Sequence, residues 1–168
     1  MNATPFLNWL ETTVLARFIQ VSAWAFPAIE TVHVIAISIV VGTVIIIDLR
    51  LLGIASIRQP MRDISREITP WTWGAFGLAV ASGSLMFLSN APGYFANGPF
   101  RLKMILLLAA GTNMLAFRLG TYRGVGAWNV AREAPVAGRV AAALSLVFWL
   151  AIVAFGRWIG FTIVPIPV

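Results

Sequence analysis

Cysteine is absent from this chain of 168 residues, histidine occurs once, and charged residues make up only 11% of it. The first absence excludes disulfides, thiolate chemistry, iron–sulfur clusters and cysteine-ligated zinc. A single histidine rules out bis-histidine ligation within one subunit. The scarcity of charge sets the chain apart from soluble domains, which carry about 25% charged residues. Signatures of soluble enzymes are missing as well: there is no phosphate-binding glycine loop, no nucleophile elbow and no paired-histidine zinc motif.

In their place stand long apolar runs, 60% hydrophobic residues and a mean hydropathy of +0.88. Four segments, Trp24 to Asp48, Pro70 to Leu88, Leu102 to Leu119 and Val140 to Trp158, approach the ~20 residues needed to cross a bilayer. Lipid offers no hydrogen bonds to the backbone, so each span is expected to be a helix. The fold class is therefore all-α, a bundle of four transmembrane helices forming one domain over 1–168. Ahead of it, residues 5–22 carry Phe6, Leu7, Leu10, Val14, Phe18 and Val21 at helical spacing, which predicts an amphipathic helix in the membrane interface. A secretory leader fits this stretch poorly, because a basic start is missing and Glu11 and Arg17 interrupt the apolar core.

Arginine placement predicts orientation. The first connection holds Arg50, Arg58, Arg62 and Arg66 and the third holds Arg123, Arg132 and Arg139, whereas the second, SNAPGYFANGPF, has no charge. The two basic connections are expected on the cytoplasmic side, with both termini outside. Most of the net charge of +6 falls in these loops, so it speaks for topology and anionic lipid rather than for nucleic acid. Thr69 and Pro70 read as N-cap and first residue of the second span. Small residues at Gly74, Gly77, Ala81 and Ser84 on that span, Ala109 to Gly111 on the third and Ala141 to Ala143 with Ser145 on the fourth predict helix interfaces inside the bundle.

The chemistry concentrates on the first span. Glu30 and His33 lie one helical turn apart within it, and ionisable groups at membrane depth are costly unless they are paired or functional. Asp48 lies eighteen residues beyond Glu30, roughly 27 Å along a helix, which places it near the opposite membrane face. Two polar clusters are expected. The outer one gathers Glu30, His33, Lys103, Arg101, Arg157, Met86 and Met104. The inner one pairs Asp48 with Arg118 or Arg139, and Asn113 lies nearby.

A neutral imidazole can ligate heme iron, with Glu30 as its hydrogen-bonded neighbour and Lys103 and Arg157 facing the propionates. The sixth iron position would then come from a methionine or a second copy of the chain, or stay vacant. His33, Met86 and Met104 form an alternative soft site for copper(I). A proton relay through His33 and Glu30 is a third reading, and a structural or assembly subunit, with both clusters as helix glue, is the fourth. The expected setting is the bacterial inner membrane, as a homo-oligomer or as part of a larger complex.

The runs ETVHVIAISIVVGTVIIIDLRLLG, TPWTWGAFGLAVASGSLMF, GPFRLKMILLLAAGTNMLAFR and GRVAAALSLVFWLAIVAFGRWIGF resemble a bacterial four-span membrane family of unknown function. More distantly, a histidine on the first such helix and a lysine opening a later one resemble the membrane protoporphyrinogen oxidase and copper-resistance families. That likeness implies His33 as a heme or copper ligand and Lys103 as a cation facing the cofactor.

Overall fold

Four long helices carry the architecture because each is apolar enough to cross a membrane: α3 (Ala25–Leu51), α4 (Met61–Ser89), α6 (Gly98–Leu119) and α7 (Val136–Thr162). The computed structural model describes residues 4–56, 58–130 and 134–163. Two short helices, α1 (Thr4–Glu11) and α2 (Val14–Val21), precede the spans, α5 (Ala91–Ala96) lies between α4 and α6, and a 3₁₀ segment (Thr121–Ala127) follows α6. No strand occurs among the described residues.

The N-terminal segment is two helices rather than one. The break falls at Thr12 and Thr13, where both hydroxyls donate to carbonyls three residues back and the Thr13 oxygen accepts from the Ala16 amide at 3.3 Å. A threonine that caps a new helix in this way competes with continuation of the old one. Leu7, Ala16 and Ile19 are buried, while Phe6, Val14, Phe18 and Val21 are exposed. The segment is therefore apolar on both sides, as suits a helix pair resting between bundle and lipid.

Helix α4 starts at Met61, nine residues before Pro70, so Pro70 lies inside the helix and not at its first position. The early turns are polar (RDISRE) and project beyond the apolar stretch. Their N-terminal amides are satisfied from another loop: Asn129 accepts from the Met61 amide through its carbonyl (2.9 Å) and from the Arg62 amide through Oδ1 (2.8 Å). This tertiary cap does the work that the sequence pattern assigned to Thr69. Helix α3 closes in a Schellman turn, in which Gly53 takes φ 72° while the Ile54 amide bonds the Leu49 carbonyl and the Gly53 amide bonds that of Arg50.

The spans form an open arc, not a closed square. Helix α3 packs between α4 and α7, and α6 packs on α7, but the backbones of α4 and α6 scarcely approach one another. Small residues make the close packing possible, since apolar chains gain little by leaving lipid and van der Waals fit must hold the helices. The buried face of α4 is Ala75, Ala79 and Ser82. Gly74, Gly77, Ala81 and Ser84, the expected packing stripe, are exposed instead; the true stripe is shifted by about one residue, or 100° around the helix.

The two ends of the arc are tied differently. At the arginine-rich end, Leu51, Met61, Val125, Trp128, Ala134 and Ala142 form a buried apolar cluster. Beside it Arg50 is fully buried and donates through Nε to the Gln59 carbonyl (3.0 Å) and through Nη2 to that of Asn129 (3.5 Å). At the opposite end, polar clips join neighbouring elements. Gln20 donates to the Ser89 carbonyl (2.9 Å), and Asn97 donates to the Thr162 hydroxyl (2.9 Å) while capping α6 through the Phe100 amide (3.0 Å). Phe87 of α4 stacks on Phe100 of α6 with ring centroids 5.7 Å apart, and Tyr94 of α5 packs against both.

Candidate functional site

His33 is the natural starting point, being the one histidine and half-buried on α3. Its Nδ1 lies 3.0 Å from Ser82 Oγ on the adjacent α4. A serine hydroxyl has one proton to give, and that of Ser82 is directed at the Leu78 carbonyl, 2.7 Å away, with the Ala79 carbonyl at 3.3 Å. With the proton committed, Ser82 Oγ accepts from His33. The network therefore assigns the proton of the neutral imidazole to Nδ1 and leaves a lone pair on Nε2.

Room for the ring comes from Gly83. A Cβ at that position would lie 3.0 Å from His33 Cε1, so any larger residue displaces the imidazole. Lys103 lies against a second glycine: a Cβ on Gly156 of α7 would sit 3.5 Å from Nζ and 3.7 Å from Cε, ordinary van der Waals contact. The lysine stem thus runs across α7 and is turned away from lipid, while the next residue, Met104, is 45% exposed. Lys103 lies within electrostatic range of His33, so side chains from α3, α4 and α6 converge here, with the Gly156 backbone of α7 beside the lysine.

The remaining sequence candidates spread outward from this point. Glu30 is exposed, and its carboxylate acts on Tyr94: burial first, and then this negative charge, hold the Tyr94 phenol above its ordinary range. Arg157 is exposed and its guanidinium lies 4.9 Å from the centre of the Phe161 ring on its own helix, an arrangement favoured by the ring quadrupole. Arg101 is exposed and Met86 half-buried. No group of three or more histidine, aspartate or glutamate side chains suited to a metal ion occurs among the described residues.

At the other end Asp48 is buried, and its partner is a hydroxyl, Ser145 of α7. Its Oδ2 has no hydrogen-bond partner. Asn113 of α6 donates to the Ala141 carbonyl of α7 at 2.8 Å. Between α4 and α6 a cavity of about 450 Å³ reaches from Met61 and Tyr122 up to Phe76 and Trp149, with Asp48, Asn113 and Ser145 in its wall.

Sequence reasoning missed Ser82 and Gly83. Their signal was present, a polar and a small residue side by side at mid-span, but it lay one position off the stripe of small residues that drew attention. It missed Arg50 and Asn129 as well, because an arginine just beyond a span reads as a topology marker and an asparagine in a loop reads as a turn. No curated protein and no solved structure matches the chain. A family model matches residues 6–162, nearly the whole length, and the chain belongs to that family, a family of unknown function (DUF6644).

Proposed function

We propose that this chain is a multi-pass protein of the bacterial inner membrane that holds a b-type heme through His33. The observation that carries the reading is the hydrogen bond from Nδ1 to Ser82, which leaves Nε2 bare. An imidazole anchored at one nitrogen and open at the other is oriented as a metal ligand, and the outer hydrogen bond raises its basicity. Lys103 supports an anionic partner beside it, as a heme propionate is. When bound, the heme would supply one-electron chemistry; His33 would hold it, Ser82 would fix the ring, and Lys103 would balance its charge. His33 would be the one histidine holding it, and any further protein ligand would come from a methionine or from a second copy of the chain. By the excess of arginine in the loops at one end, that end is cytoplasmic and the His33 cluster lies in the outer half.

The experiment is an absorption spectrum of protein produced with ample heme and purified in detergent, with iron and copper measured on the same sample. A Soret band and iron that persist in the parent and vanish in His33→Ala, with helicity unchanged, are the expected result. A colourless, metal-free protein of native fold overturns it. A second reading, a structural or assembly subunit without a cofactor, is favoured by the fact that the His33–Ser82 bond already joins two helices. On that reading Ser82→Ala and His33→Ala lower thermal stability alike, and no colour is present to lose.

A further inference from the structure

The cleft between α4 and α6 lies on the arginine-rich side of the His33 cluster, reaching along α3 as far as Val40, and has features that helix packing does not explain. It occupies the space left where the backbones of these two helices scarcely approach one another. The aromatic stack of Phe87 on Phe100 bridges them only at the end opposite the arginine-rich one. Its volume of about 450 Å³ falls in the range of about 300–1,000 Å³ typical of small-molecule sites. Its walls are mainly apolar, with Phe76, Leu107 and Trp149 among them.

Two observations identify the kind of occupant. First, the cleft continues into a second hollow of about 440 Å³ at the arginine-rich end. Ser65, Thr69, Trp73, Arg118 and Tyr122 border both spaces. Arg62, Arg66 and Arg118 line this mouth, with no carboxylate in its lining; Asp63 and Glu67, also on α4, are exposed and outside it. Second, the two spaces differ in character, since the three cations at the mouth call for an anion while the cleft behind them is mainly apolar. One molecule meets both demands if it has an acyl chain and an anionic group.

We infer that the cleft between α4 and α6 binds an anionic phospholipid from the leaflet at the arginine-rich end, with its phosphodiester among Arg62, Arg66 and Arg118. One acyl chain lies between the helices and fills space that would otherwise leave their inner faces without van der Waals contacts. Basic pockets between membrane helices recognise anionic headgroups in this manner.

The test uses the full chain in nanodiscs of equal phosphatidylglycerol and phosphatidylcholine, followed by native mass spectrometry of retained lipid. Phosphatidylglycerol is expected to stay bound preferentially. Arg66→Gln and Arg118→Gln, both at exposed positions, are each expected to lower that preference about fivefold. Gly111 borders the cleft and a Cβ there meets nothing within 4 Å, so Gly111→Phe is expected to block the cleft and abolish retention. Equal retention of both lipids by the parent protein overturns the proposal, as does undiminished phosphatidylglycerol retention in Gly111→Phe. Should that variant fail to fold, unchanged preference in both arginine variants overturns it instead. Neither result bears on the absorption spectrum, so the two proposals stand or fall separately.

Discussion

The two ends of the bundle solve the same problem by different means. Both must join helices that gain little by associating in lipid. The arginine-rich end does so with a buried guanidinium, a borrowed helix cap and an apolar cluster drawn from its loops, and above these it leaves α4 and α6 apart around a cavity. The other end closes α4 against α6 through aromatic rings and fastens the short helices with single hydrogen bonds. Strong loop ties permit an open cleft; weak ones require the helices themselves to meet.

Substitutions should separate the ends by size of effect. Arg50→Met is expected to cost about 3 kcal/mol, because two loop carbonyls lose a charged donor at a buried position; thermal unfolding in detergent measures it. Asn129→Ala removes the side-chain part of the cap on α4 and is expected to cost about 1 kcal/mol, read in the same assay. Gln20→Leu at the opposite end should cost less than either, since only one partly buried bond is lost. If Gln20→Leu proves the most damaging of the three, the ranking of the two ends is reversed.

Acidity offers a finer contrast. The Tyr94 phenol has its folded pKa raised above the ordinary value of 10.0 by burial and by Glu30. A raised folded pKa means that the unfolded chain loses its proton first as pH rises. The contribution to stability is therefore complete below the unfolded pKa and is lost as pH climbs through the folded one. Tyr94→Phe should flatten the alkaline fall in melting temperature, and an unchanged fall would remove Tyr94 from the account.

Hydropathy made the four spans legible, because length and apolarity suffice to define a membrane helix. Their ends were less so. The turns of α4 ahead of Pro70 are capped by Asn129 from a distant loop, and no local pattern announces a tertiary cap. Glu30 and His33 stood out as ionisable groups at depth, yet their surroundings did not. The expected cations of the third and fourth spans supply Lys103 alone near the imidazole, and the direct partner comes from α4. Arg157 turns to Phe161, whose ring lies four residues on along the same helix, a neighbour on its own face. A period of 3.6 residues tells which residues share a face, but the phase of that face toward its neighbour is set by packing. One position of phase error hid Ser82 and Gly83 and promoted a stripe that is exposed.

The His33 site depends on where the imidazole proton resides, and the presence of one histidine per chain makes that directly measurable. Nitrogen-15 NMR of cofactor-free protein labelled at histidine reports both ring nitrogens of this single residue, and two-bond couplings, to Hδ2 and Hε1 for Nε2 but to Hε1 alone for Nδ1, tell them apart. The predicted spectrum has a protonated Nδ1 and a bare Nε2, with the preference lost in Ser82→Ala; a proton on Nε2 in the parent protein would contradict it.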